Sequence, residues 1–249
     1  MTKYLLVSDL DDTFLGDRRA LERFADFYEP IRERLDIVYA SGRFYESIRR
    51  DIDTTPLPEP VAVIGGVGSE IRQYPSGRLD QAWIDRIATN WSAKKVQSVL
   101  ANESQLELQP ADSQSDYKVS YFFRDAKPTQ LDRLKAKLFD HGLDVSVVYS
   151  SSRDLDFLPE GVNKGTAAAF LARQFGFDGD HTMVAGNSGN DSKLFDHDFR
   201  GVIVANAHDE LKAYAGDARV YLSSQERADG VRDGVAHWMK LADVAGRRS

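Results

Sequence analysis

Asp9 and Asp11 stand two residues apart at the end of an apolar run, in Lys3-Tyr4-Leu5-Leu6-Val7-Ser8-Asp9-Leu10-Asp11-Asp12-Thr13. Residues two apart on an extended chain point the same way, so the two carboxylates share a side. They repel unless a cation lies between them, and oxygen-only ligands of this kind suit magnesium. One of them can also attack phosphorus and form an aspartyl-phosphate. The bland reading is a strand end followed by an Asp-rich cap, because Asp11, Asp12 and Thr13 all form turns and caps.

Three later clusters carry compatible chemistry. Ser41-Gly42-Arg43 offers a hydroxyl, free backbone N–H groups and a cation at a strand end, a plausible phosphate contact that also reads as a plain helix cap. Lys164 follows the cap residue Asn163 at a helix start, where the helix dipole prefers acids; an anion bound beside it explains the mismatch, and a solvated lysine is the alternative. Gly186-Asn187-Ser188-Gly189-Asn190-Asp191 places Asn187 and Asp191 as oxygen ligands or supports for a metal. A nucleophile, an acid/base, phosphate donors and ligands for magnesium are the parts of metal-assisted phosphoryl transfer.

The elements that must hold these residues follow from the apolar pattern. Tyr4 to Val7, Ile37 to Ala40, Val61 to Ile64, Thr182 to Ala185 and Gly201 to Val204 read as buried parallel strands, and the candidate residues follow directly on them. Helices are expected over 18–35 and 163–175, and a last one over 231–241. Gly65-Gly66-Val67-Gly68-Ser69-Glu70 reads as a tight turn into a strand over 71–74. From about Gln81 the order changes to a helix over 82–101, strands near 106–108 and 117–123, a helix over 128–141, and strands over 145–149 and 155–158. That succession is an α+β unit with an antiparallel sheet. The expected fold is α/β, a doubly wound, Rossmann-like parallel sheet built from 1–80 and 160–249, with 81–159 inserted. Gly246-Arg247-Arg248-Ser249 reads as a loose tail.

Composition sets outer bounds. At 249 residues, 42% hydrophobic and 29% charged, the chain is that of a globular protein. A formal net charge of −7 argues against a broad nucleic-acid surface. No apolar run reaches the roughly 18 residues of a membrane helix, no leader pattern precedes the first strand, and cysteine is absent, which rules out disulfides and zinc–cysteine sites. A cytoplasmic protein with no membrane partner is the expectation.

In order, Asp9-Leu10-Asp11-Asp12-Thr13, Ser41-Gly42-Arg43, Lys164-Gly165 and the 186–191 loop resemble the four motifs of haloacid dehalogenase-like phosphatases, with the insertion where that superfamily often carries a cap domain. The whole chain is similar to the sucrose-phosphatase family and its mannosylfructose-phosphate branch. The similarity rests on Val67-Gly68-Ser69-Glu70-Ile71, Tyr149-Ser150-Ser151 with Asp154 and Asp156, Leu158-Pro159 before Asn163-Lys164-Gly165, and Arg200 to Val204 with Asn206-Ala207. The resemblance implies Asp9 as nucleophile and Asp11 as the acid that protonates the leaving oxygen and then activates water. It implies Ser41 and Lys164 as holders of the phosphoryl group. Magnesium would be bound by Asp9, the backbone carbonyl of Asp11 and Asn187, with Asp191 in support; Asn187 replaces a frequent Asp and makes the site less negative. Lys118, Arg43 and Glu70, with Gly42 and Asn190, are the implied substrate contacts. The implied substrate is a disaccharide phosphate, foremost sucrose 6-phosphate. The alternatives are mannosylfructose phosphate, or a phosphatase or phosphomutase for another sugar phosphate. A silent sensor or partner of the synthase that makes the substrate stands last, since a pure binder has no use for an acid/base beside a nucleophile.

Overall fold

The run that carries the acids folds as β1 (Tyr4–Ser8), with Leu5, Leu6 and Val7 wholly buried. Alternation sends Leu6 into one apolar layer, with Phe24, Ile37 and Val231, and sends Leu5 and Val7 into the opposite one, with Val38, Leu171 and Val184. Both faces of this strand are therefore covered, as in a parallel sheet packed between helices. A computed structural model of the chain describes residues 2–241, and the expected loose tail Gly246-Arg247-Arg248-Ser249 lies outside them.

Beyond β1 the chain forms α1 (Arg18–Tyr28), β2 (Leu35–Ala40), α2 (Tyr45–Thr54), β3 (Ala62–Gly65) and β4 (Glu70–Gln73). Its middle gives α3 (Gln81–Ile87), α4 (Ala93–Leu100), β5 (Glu107–Leu108), β6 (Val119–Phe122), α5 (Pro128–Asp140), β7 (Val145–Ser150) and β8 (Asp154–Pro159). The last part is α6 (Lys164–Gln174), β9 (Thr182–Gly186), α7 (Ser192–Phe195), β10 (Arg200–Ile203), α8 (Asp209–Lys212), β11 (Val220–Leu222) and α9 (Arg227–Met239). Seven strands lie in the order β11-β10-β9-β1-β2-β3-β4, parallel except for β4 against β3. β5 to β8 form a separate antiparallel sheet in the order β5-β6-β8-β7. Among the described residues, no helix is long and apolar enough to cross a membrane.

The chain winds outward from β1 in both directions, through β2 on one side and β9 on the other. Loops leaving the carboxyl ends of such strands diverge and leave a crevice, which is where ligands bind in open α/β sheets.

Three expected boundaries move. The helix expected over 18–35 stops at Tyr28 and gives way to a 3₁₀ turn at Glu29–Ile31, because Pro30 has no N–H to continue the ladder; Leu35 belongs to β2 and pairs with Tyr4. The last helix begins at Arg227, four residues ahead of Val231. The single helix expected over 82–101 is two. Asp80 caps α3 by accepting from Trp83 N, Asn90 takes a left-handed φ of 57°, and Ser92 caps α4 by accepting from Lys95 N. The two helices also pack apart. Trp83, Ile84 and Ile87 join the layer on the large sheet, whereas Val96 and Leu100 pack under the small one with Leu134, Val145 and Phe157. Ile87 still packs in the large-sheet layer, and Trp91 is the next residue along the chain to pack in the small-sheet one.

The start of α6 is pressed against α7, and Gly165 makes that approach feasible: a Cβ there would lie 1.9 Å from the Lys193 carbonyl oxygen, a backbone atom that cannot step aside. Gly165→Ala is expected to cost about 1–3 kcal/mol, read as a lower midpoint in chemical denaturation, and to cut activity because the next residue back is Lys164. An unchanged midpoint would contradict this packing.

Candidate active site

The tips of β1, β2 and β9 and the start of α6 meet in one place. Asp9 is 5% exposed, and its N–H donates to Ala185 O at 3.0 Å, which ties the acidic loop to β9. Lys164 reaches this point from α6, whose start is fixed by Asn163 accepting from Thr166 N while Thr166 Oγ1 accepts from Asn163 N. Its ammonium is 0% exposed and donates to Asp9 Oδ1 at 2.7 Å, Asp191 Oδ1 at 2.7 Å and Asn190 Oδ1 at 3.1 Å. The other oxygen of Asp191 accepts from the N–H groups of Asn187 and Ser188, each at 3.1 Å, which folds the loop back on itself.

One ammonium between two buried carboxylates neutralises only one of them. Burial first, and then the field of Asp191, push Asp9 up to about 7 although Lys164 pulls the other way. Burial by itself would lower the Lys164 pKa, but Asp191 and Asp9 outweigh it and hold the ammonium above the ordinary lysine range. The surplus negative charge at Asp9 is what a divalent cation would satisfy. Among the described residues no three His, Cys, Asp or Glu side chains converge as a metal cage, so the donors would be mixed: Asp9, the amide of Asn187 and a main-chain carbonyl. Asn187 is 6% exposed and lines the same cavity as Asp9. Hard oxygen donors of this set suit magnesium or calcium rather than a soft metal.

Asp11 lies further out, with its side chain 57% exposed. Arg43 Nε sits 3.0 Å from its Oδ2, and Ser41 Oγ donates to the same oxygen at 3.5 Å. Ser41 is not a helix cap, because α2 begins beyond it at Tyr45; its Oγ accepts instead from Arg43 N at 3.1 Å. Glu70 has the capping role. Its Oε1 accepts from Tyr45 N at 2.8 Å and its Oε2 holds Arg72 at 2.8 Å, and it does not line the cavity.

A cavity of about 720 Å³ opens between these strand tips and the small sheet. Asp9, Asp11, Gly42, Arg43, Asn187 and Asn190 line one side. Gln109, Lys118, Phe122, Arg153 and Asp156 line the other. Lys118 is 4% exposed, donates to Asp156 Oδ1 at 3.0 Å and stands 5.4 Å from the centre of the Phe44 ring, so the two sides touch. The chain thus brings the sequence candidates together, with Ser41, Lys164 and Asp191 immediately behind the cavity wall and Glu70 away from it.

Thr13 was legible only as a turn former. It is wholly buried, and its Oγ1 donates to Asp9 Oδ2 at 2.9 Å, so both carboxylate oxygens of Asp9 carry a donor. Its spacing of four residues from Asp9 is the signal that could have found it. Gln109 and Asp112 fall in a polar stretch that reads as featureless loop, and no periodicity marks them.

The profile of the sucrose-6F-phosphate phosphohydrolase family matches residues 2–239. The chain is 36% identical over 238 residues to the mannosylfructose-phosphate phosphatase of Agrobacterium fabrum, covering 94% of this chain and 96% of that one. It is 33% identical over 254 residues to sucrose-phosphatase 1 of Nicotiana tabacum, covering 95% of this chain but only 59% of the plant protein, which is much longer. In structure it is similar to the sucrose-phosphatase of Synechocystis solved with sucrose and phosphate: TM-score 0.88, 37% identity, 96% of this chain and 99% of that one. A haloacid dehalogenase-like hydrolase of Bacillus subtilis, at TM-score 0.69 and 19% identity over 97% of this chain and 93% of that one, shares the fold.

An acid whose folded pKa is raised lowers stability wherever it must ionise, so the penalty of Asp9 is absent well below its unfolded value near 3.8 and complete above about 7. With chelator present, Asp9→Asn should therefore be more stable than the parent by at least about 1 kcal/mol at pH 8, with the gain shrinking toward pH 5. Paired thermal melts at the two pH values check this, and a gain that grows toward acid would refute the assignment of surplus charge to Asp9.

Proposed function

The chain belongs to the sucrose-6F-phosphate phosphohydrolase family and is a sugar-phosphate phosphatase, and from that premise we propose that it hydrolyses a disaccharide phosphate, foremost sucrose 6-phosphate, through an aspartyl-phosphate on Asp9 and with magnesium bound beside it. The observation that carries this reading is a cavity that faces Asp9, held from behind by Lys164, with a polar wall from the small sheet on its other side. Its volume of about 720 Å³ lies in the range of sites that enclose small organic ligands. Hydroxyl-rich rings need polar partners, and Lys118, Asp156 and Gln109 are placed to offer them.

In this reading Asp9 attacks the phosphorus, and its orientation is set by Thr13 on one oxygen and Lys164 on the other. Lys164 balances the charge of the incoming phosphoryl group, and the Ser41 hydroxyl turns from Asp11 toward a phosphoryl oxygen. Asp11 gives its proton to the departing sugar oxygen, and then takes one from the water that attacks the phosphorus, so Asp9 is released as a free carboxylate. Asp9, Asn187 and the main-chain carbonyl of Asp11 would hold the magnesium. When bound there, the ion would supply positive charge that lowers the repulsion between a carboxylate and a phosphoryl group. The small sheet excludes water from the first step and selects the sugar.

A second reading, mannosylfructose phosphate as substrate, is favoured by the Agrobacterium relative, which this chain spans almost end to end.

Phosphate release from sucrose 6-phosphate, mannosylfructose phosphate and hexose monophosphates separates these readings. Turnover is expected on a disaccharide phosphate, lost on chelation and restored by magnesium. Asp9→Asn is expected to lower kcat by more than about 10³-fold, while a folded Asp9→Asn enzyme that still turned over would remove the nucleophile from this scheme. Preference for a hexose monophosphate would remove the disaccharide.

A further inference from the structure

Two residues at the outer bend of the acidic loop have no part in the chemistry above. Asp12 and Arg227 are both non-glycine residues in the left-handed region, at φ of 57° and 50°. Such conformations are unfavourable and persist where neighbours dictate them. Here the neighbours are each other: Arg227 Nη2 donates to Asp12 Oδ1 at 3.2 Å. Asn206 lies between them. Its Nδ2 donates to the Asp12 carbonyl at 2.7 Å, and its Oδ1 accepts from Arg227 N at 2.9 Å. A backbone N–H can only donate and a carbonyl can only accept, so the two contacts fix which way the amide points. Gly16 completes the arrangement, because a Cβ there would lie 2.6 Å from Arg227 Nε and 3.2 Å from Asp12 Oδ1.

The clamp acts one residue beyond Asp11. On its amino side the loop is anchored by Asp9 N on Ala185 O, and on its carboxyl side by Phe14 N and Leu15 N on Leu10 O, each at 2.9 Å. Asp11 itself is the least enclosed of the reacting groups, and the carbonyl of Asp12 is where the outer bend of the loop is tied to the body of the protein. A side chain that must deliver a proton to one oxygen needs its Cα fixed as well as its pKa.

We propose that Asn206, backed by Arg227, is a positioning residue that aims Asp11 at the leaving oxygen. The inference rests on the reading of Asp11 as proton donor given under the proposed function. A misaimed donor harms poor leaving groups selectively, since an alkoxide needs the proton whereas p-nitrophenolate departs without it. A merely structural defect harms both alike.

Asn206→Asp keeps the acceptor for Arg227 N and removes the donor to Asp12. First-turnover rates should be measured on the sugar phosphate that the parent enzyme turns over fastest and on p-nitrophenyl phosphate. The expected result is a fall of about tenfold or more on the sugar phosphate, a p-nitrophenolate rate within about twofold of the parent, and an unchanged KM for the sugar. The same split is expected for Arg227→Gln, which leaves Asn206 in place and removes the ion pair. Equal falls on both substrates, or no fall on either, would overturn the proposal. Asp11→Asn serves as the benchmark with the larger split; if it keeps the parent rate on the sugar phosphate, the reading of Asp11 fails and the inference goes with it.

Discussion

A single buried ammonium organises this molecule. Lys164 lies 155 residues from Asp9 and 27 from Asp191, and it touches both at 2.7 Å with no access to solvent. Removing the ammonium would strand two carboxylates in a medium of low dielectric, and breaking a buried ion pair in this way typically costs about 3–5 kcal/mol. The strands that carry the acids must therefore sit side by side, and α6 must enter at their tips. The order β9-β1-β2 satisfies that demand, and close approach at Gly165 lets the helix descend far enough for its first residue to reach.

That arrangement is one positive charge short of balance, one ammonium between two carboxylates, and a cation bound in the cavity would make up the difference. The shortfall falls on Asp9, the residue with open cavity in front of it. Backbone strain gathers at the same place: Asp12, Val67 and Ser151 all line the cavity, and all have positive φ. For Val67, a β-branched residue, this is the most unusual of the three. Its N–H donates to Ser41 O at 3.0 Å, so the strained turn is secured to the end of β2. Stability given up at the site is recovered in the apolar layers on either side of the large sheet.

The parts of the site that could be read from the sequence are those that follow an apolar run. Asp9, Ser41 and Asn187 each sit just past a buried strand, and the parallel-strand rule places such residues together without knowledge of any contact. Lys164 was legible for a different reason, as a cation where a helix start prefers an acid. What could not be read depends on pairings across the chain. Glu70 has the composition of a crevice acid, yet it caps α2 because β4 folds back beside β3 and brings it to Tyr45 N. Leu35 continues the helical spacing of α1 and is claimed by β2, since pairing with β1 outweighs propensity once Pro30 has broken the ladder. The break at Asn90 is local and was hidden by aromatic and aliphatic residues that continue the period on either side. Asn206 was visible as part of a resemblance only; its bond to Asp12 spans 194 residues.

The division of the middle segment has a mechanical side. The small sheet is joined to the large one by two covalent tethers, the stretch 88–92 and the stretch between Pro159 and Lys164. Four residues lie between Pro159 and Lys164, a span of five Cα–Cα steps that even fully stretched reaches no more than about 18 Å. The roof over the reaction chamber is thus leashed to the very lysine that anchors its floor.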